Sequence, residues 1–297
     1  MTIVIAGGTG FLGAALIRAF RADGHRALVL TRRPRHEDDR AWNPGDPSDR
    51  SWMTVVDGAD AVINLAGESI ATRRWTAARK RALRDSRVNA TTSLVQAIEA
   101  ARRRPPVLLS ASAIGVYGNR GDESLTEDSA PGSDFLAGIC LEWERLARKA
   151  APASRVVLLR TGLVLHRSGG VLPPLALPFR LFVGGPVGSG RQFMSWIHLD
   201  DWVGLVKWAL ATNIVSGPLN LTAPAPVTNA DFGRALGRAL GRPSFMPTPA
   251  FALKLALGEM ADALILGGQR VLPARAQAMG YEFRYAQLES ALKAVFA

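Results

Sequence analysis

Short, wholly apolar, β-branched runs alternate with longer stretches of helical period through the first half of the chain. Ile3–Ala6, Ala27–Thr31, Ala61–Leu65 and Val107–Ser110 have the pattern of strands buried on both faces. Between them, Leu12 to about Arg21 and about Thr76 to Ala101 carry helical spacing, stopped by Gly24 and Pro105 respectively. Such alternation is that of βαβ units feeding a parallel sheet. A helix is expected over Phe135–Ala150 and strands over Arg155–Arg160 and Pro218–Thr222. Leu172–Gly190, rich in proline and glycine, predicts a long irregular excursion of the kind that forms lids and binding loops. From Thr228 onward the pattern is helical, broken at Pro243–Pro249. The expected fold class is α/β, a Rossmann-type doubly wound parallel sheet with a small, mostly helical C-terminal region on the substrate side. Residues 1–165, with 192–222 returning to them, form the expected dinucleotide-binding domain. Residues 166–191 and 223–297 form the substrate-side loop and C-terminal cap.

Gly7-Gly8-Thr9-Gly10-Phe11-Leu12-Gly13 follows the first strand directly and opens a helix. Glycine there permits a tight turn and a close backbone approach, so that a pyrophosphate can sit against unpaired N–H groups at the positive end of the helix dipole. The second strand ends Thr31-Arg32-Arg33, with no carboxylate before Glu37. An acid at this place would bind ribose hydroxyls and repel a 2′-phosphate, whereas a guanidinium clamps one. The expected cofactor is therefore NADP(H), with Arg32 the first candidate for the 2′-phosphate and Arg33 the second.

Composition narrows the partners. The formal charge is +11, but the basic residues are 31 arginines and 5 lysines scattered along helices, with no basic arm, and no nucleic-acid partner is expected. The single cysteine, Cys140, allows no internal disulfide and no multi-cysteine metal site. No apolar stretch is long enough to span a membrane and no leader pattern opens the chain, so a cytoplasmic protein without a membrane partner is expected. A homodimer is left open.

In order along the chain, the glycine loop, Asn64-Leu65-Ala66-Gly67, Ser110-Ala111-Ser112, Val116-Tyr117-Gly118 and Trp196-Ile197-His198-Leu199-Asp200-Asp201 resemble the landmarks of the extended short-chain dehydrogenase/reductase superfamily, which includes the nucleotide-sugar epimerases. Gly67-Glu68-Ser69-Ile70 with Arg73-Arg74-Trp75, then Asp134-Phe135-Leu136-Ala137, then Gly267 to Pro273 resemble its atypical, epimerase-like branch with a C-terminal domain of unknown function. The resemblance spans nearly the whole chain. It implies that Asn64, Leu65, Ala66 and Gly67 line the cofactor and that Asn89 lies on the helix beside the active site.

The chemistry of that superfamily uses a tyrosine and a lysine four residues later. Tyr117, Tyr281 and Tyr285 are followed at that distance by Gly121, Tyr285 and Glu289, so the pair is absent from this chain. Aligned on Glu144, Leu136 takes the tyrosine position and Cys140 the lysine position. The remaining catalytic candidates are Ser112, Tyr117 and Asn89. For substrate, Arg74 and Trp75 lie at the carboxyl edge of the sheet, where the indole either meets a ligand or anchors the following helix. Arg191 either meets an anion or stays in solvent, and His198 and Asp200 are expected to be structural. Two functions follow: an NADP(H)-dependent oxidoreductase or epimerase-like enzyme on a small molecule, with an unusual or substrate-borne proton donor, or a catalytically silent NADP(H)-binding sensor.

Overall fold

The computed structural model describes all of residues 1–297. Seven strands make one parallel sheet: β1 (Thr2–Ala6), β2 (Arg26–Thr31), β3 (Asp39–Ala41), β4 (Ala61–Asn64), β5 (Val107–Ala113), β6 (Arg155–Thr161) and β7 (Gly217–Leu221). They lie in the order β7-β6-β5-β4-β1-β2-β3, so the chain reverses direction across the sheet between β1 and β4. A ligand cleft at the carboxyl ends of the strands is expected at that reversal.

Alternate residues of each strand serve opposite layers. Ile3, Ile5, Leu109 and Leu159 pack with Leu16, Phe20, Trp202 and Val206 from helices α1 (Phe11–Ala22) and α5 (Leu199–Ala211). Val4, Leu108 and Leu158 pack with Leu94, Ile98 and Ala147 from α2 (Ala77–Ala100) and α3 (Phe135–Ala147). Because both faces are covered, the strands read as unbroken apolar runs. Thr76 caps α2 by accepting from the Arg79 amide at 3.1 Å, and Asp134 caps α3 by accepting from the Ala137 amide at 2.9 Å.

Two elements depart from the sequence expectation. β3 pairs with β2 at the sheet edge although its three residues are Asp39, Arg40 and Ala41, a polar run without the apolar signature of a strand. The expected irregular excursion begins instead as helix α4 (Leu172–Arg180), because Pro173 and Pro174 occupy its first turn, where a missing N–H costs nothing.

The C-terminal third contributes α6 (Asn229–Leu240), α7 (Ala250–Leu257) and a last helix, Leu288–Phe296, which packs with α6. His198 caps α5, its Nδ1 accepting from the Asp200 amide at 3.1 Å, as expected of a structural pair. The neighbouring Asp201, buried, accepts from the amides of Arg284 at 2.8 Å and Tyr285 at 2.9 Å and so ties the C-terminal segment to the sheet layer. Replacing Asp201 by alanine orphans two amides and is expected to cost about 2 to 3 kcal/mol. Denaturant unfolding measures this, and a loss below about half a kcal/mol would show that the tie is not holding the segment.

Candidate functional site

The glycine loop joins β1 to α1 directly beneath the point of reversal. Gly7 has φ of +80°, and a Cβ there would stand 2.7 Å from the Leu65 carbonyl carbon. A Cβ on Gly13 would press on the backbone of Gly7 and stand 2.6 Å from the Gly8 Cα. Only glycine allows both the turn and the close seating of α1 on the loop. Gly10, the N-cap, is different: an added Cβ would touch only the Gly7 carbonyl at 3.3 Å, so the space above it is open. No side chain caps α1 and no acid lies in its first turn, which leaves its N-terminal amides and the positive end of its dipole facing that space. These features fit a pyrophosphate.

In register, Ala6 pairs with Leu30, so Thr31 ends β2 beside the loop and Arg32 and Arg33 leave the sheet there. Both arginines are exposed, and the Thr31 hydroxyl accepts from the Arg33 amide at 3.3 Å. Phe11 and Leu12 are half-buried, with Phe11 stacked on His166 at 5.9 Å between ring centres. Across the cleft, Leu65 and Ala66 approach Gly7, and Gly67 is exposed. Asn64 supports this turn from below: it is buried, donates to the Thr91 hydroxyl at 3.0 Å and accepts from the Ala66 amide at 3.1 Å, and so does not face a ligand itself.

Ser112 and Tyr117, candidates for catalysis by sequence, are closed into a buried polar network. The Ser112 hydroxyl donates to Glu144 at 2.7 Å, and Glu144 takes both Arg160 Nε at 2.8 Å and a terminal guanidinium nitrogen at 2.9 Å. Arg160 also donates to the Tyr117 hydroxyl at 2.9 Å, which donates in turn to Asn220 at 2.7 Å. Asn220 donates from its backbone to Glu127 at 3.0 Å and from its side chain to the Leu272 carbonyl at 2.9 Å. Tyr117 has no exposed surface, and burial raises the pKa of its phenol. Burial would lower the pKa of Arg160, but its bonds to Glu144 and Tyr117 outweigh this and hold it charged. Both hydroxyls, catalytic candidates by sequence, are thus engaged within this network. Nothing in the sequence pattern singled out Arg160 or Glu144, which stand sixteen residues apart on different elements.

The remaining candidates divide by exposure. Asn89, Arg74 and Arg191 are exposed. Trp75 is buried, donates to the Ile70 carbonyl at 2.9 Å, packs edge-on to Phe135 at 5.2 Å and sits with Leu83, Ile139 and Met260, so it anchors α2 and presents no face to a ligand. Leu136 and Cys140 project from α3, Leu136 toward the same apolar cluster and Cys140 among Ile114, Val116, Tyr117 and Val271. Burial, with Glu144 nearby, pushes the Cys140 thiol up to about 11. Arg87 reaches this region from α2, donating to the carbonyls of Leu83 at 2.9 Å and Glu68 at 3.0 Å, with its guanidinium 5.2 Å from the Trp143 ring centre.

Residues 3–221 match the model of the NAD dependent epimerase/dehydratase family, and residues 248–295 match a domain of unknown function (DUF1731). The chain belongs to the NAD dependent epimerase/dehydratase family. Over 303 residues it is 42% identical to the epimerase family protein SDR39U1 homolog, chloroplastic, of Arabidopsis thaliana, spanning 99% of this chain and 86% of the relative. It is 43% identical to the epimerase family protein MT2273 of Mycobacterium tuberculosis, spanning 98% and 96% of the two chains. The crystal structure of human epimerase family protein SDR39U1 with NADPH superposes with a TM-score of 0.92 at 36% identity, spanning 100% of this chain and 99% of the human one. Family membership thus agrees with the epimerase-like resemblance read from the motifs. The fold alone is shared with more distant epimerases, among them a UDP-N-acetylglucosamine 4-epimerase of Bacillus cereus at 17% identity and a TM-score of 0.78.

Because the Cys140 thiol is buried and its pKa raised to about 11, the native protein is expected to resist Ellman's reagent at pH near 8 while the unfolded chain reacts at once. Comparable rates in the two states would show that the thiol is open to the cleft.

Proposed function

We propose that this protein binds NADP(H) in the loop of Gly7, Gly8, Thr9, Gly10 and Gly13 and acts as an epimerase-like oxidoreductase on a small molecule, without the tyrosine and lysine of its family's usual chemistry. One observation carries the reading: the uncapped N-terminus of α1 stands open above Gly10, and the exposed Arg32 and Arg33 leave the neighbouring strand beside it with no carboxylate between. The NADPH held by the human relative supports it.

The bound cofactor would supply or accept hydride. The chain's own part is to hold and seclude. The α1 amides balance the pyrophosphate charge and Arg32, backed by Arg33, clamps the 2′-phosphate. Leu65, Ala66 and Gly67 close the opposite wall. Leu136 and Cys140 are unable to shuttle a proton, and both pack into apolar clusters behind the cleft. With Ser112 and Tyr117 committed to the buried network, the proton comes from the substrate or from solvent. Asn89, Arg74 and Arg191, all exposed, are the side chains left to orient a polar or anionic substrate. A single buried thiol fits a reducing, cytoplasmic setting.

NADPH is expected to bind at least about tenfold more tightly than NADH, with Arg32→Ala removing most of the difference. Gly10→Val is expected to abolish binding of both, since its side chain fills the space above the loop. Calorimetric titration of each variant decides, and equal affinities for the two cofactors in the native protein would sink the assignment.

Closure of both candidate hydroxyls also favours a second reading, a sensor of NADP(H) that performs no turnover. On common UDP-sugars this protein is expected to turn over far below about 10 per second. Assay with a panel of carbonyl compounds and NADPH separates the two readings: oxidation of NADPH with any member establishes the enzyme.

A further inference from the structure

The cap carries a surface that the cofactor site does not use. Leu177, Leu181, Phe182, Phe245, Phe251 and Leu255 are all exposed, Phe251 by 74% and Leu255 by 80%. They come from three segments, of which the first two are joined: the Met246 amide donates to the Gly184 carbonyl at 3.1 Å, the Thr248 amide to Pro186 at 2.9 Å, and the Arg242 guanidinium lies 4.6 Å from the Phe182 ring centre; the third follows Thr248 directly in the chain. Helix α7, Ala-Phe-Ala-Leu-Lys-Leu-Ala-Leu, buries none of its residues. Phe251 and Leu255 stand one turn apart on one of its faces. Leu257 packs inward on the cluster of Trp75 and Met260, while Phe251 and Leu255 stay in solvent.

Charge is as one-sided as hydrophobicity. No Asp or Glu occurs between Glu144 and Asp200, and none from Phe232 to Gly258. Arg234, Arg238 and Lys254 are paired with Asp231, Glu289 and Asp262, which leaves the exposed Arg180 and Arg242 beside the apolar side chains. Phe182 is also the one non-glycine residue with positive φ, at +63°. A bulky residue held there is strained, and strain retained on a surface marks a functional constraint.

We propose that this face lies against an anionic lipid surface, with Phe182, Phe245, Phe251 and Leu255 entering the acyl boundary and Arg180 and Arg242 meeting the headgroup phosphates. A second copy of the chain fits poorly, because a two-fold contact would set the unpaired Arg180 and Arg242 against a surface holding the same cations, whose carboxylates Asp262 and Glu259 are already paired with Lys254 and Lys80. An anionic bilayer supplies both the apolar depth and the missing negative charge. No helix here is long and apolar enough to cross a membrane, which does not bear on lying against one.

Sedimentation of the full chain with vesicles tests this, using phosphatidylcholine alone and phosphatidylcholine mixed with phosphatidylglycerol. The protein is expected to pellet with the mixed vesicles at least about tenfold more than with the neutral ones, and each of Arg180→Ala and Arg242→Ala is expected to lower that partition about fivefold. Phe251→Ser with Leu255→Ser is expected to lower it by more than about tenfold while NADPH affinity is unchanged. Phe182→Gly relieves the strained φ, so it is expected to raise the thermal midpoint yet weaken vesicle binding. The proposal is overturned if the native protein stays in the supernatant with mixed vesicles or if the Phe251 and Leu255 changes leave the pellet intact. A dimer in sedimentation velocity that Leu255→Ser dissolves would assign the face to a second copy and equally overturn it.

Discussion

Arg160 and Glu144 form a buried ion pair through which most of the molecule is joined. A buried charge left alone is costly, so each must keep its partner, and removing either from such a pair costs about 3 to 5 kcal/mol. Their shared contacts fix Ser112 of β5, α3, β6 and Tyr117, and Asn220 of β7 carries the network to Leu272. Glu127 accepts from the amides of Asn220 and Arg275, so the C-terminal segment enters by a second route. The sheet, helix α3 and the C-terminal domain are thus held in one arrangement.

That arrangement leaves neither candidate hydroxyl unbonded. Tyr117 and Ser112 contribute the hydroxyls that satisfy Arg160 and Glu144, and their own protons are already donated to Asn220 and Glu144. On the same helix, Cys140 sits close enough to Arg87 and Arg160 for their positive charge to act on its thiol. Glu144, one turn along the helix, acts on the same thiol with the opposite sign and more strongly than either, so Cys140 stands among charges of both signs.

Much of this was legible from sequence. Buried parallel strands announce themselves as β-branched runs, and a glycine loop between strand and helix admits few uses, so the sheet, its helices and the phosphate cradle were all readable. β3 was not, because three polar residues at a sheet edge owe their conformation to pairing with β2 and not to burial. Helix α4 was hidden by Pro173, Pro174 and Pro178, two of which sit where proline is tolerated. Arg160 looked like the polar end of a strand, since its partner is set by tertiary packing, and Trp75 left two roles open until the fold placed it against Phe135.

The two margins of the sheet are closed by different means. At one, β3 is three residues long, begins at Asp39 and is preceded by Glu37 and Asp38. At the other, β7 contains Pro218, which lacks an N–H, and Arg275 covers the carbonyls of Ser216 at 3.3 Å and Pro218 at 3.2 Å. Neither margin offers a free ladder for another strand to join. A central sheet closed in this way resists edge-to-edge pairing even beside a cap that displays so much apolar surface.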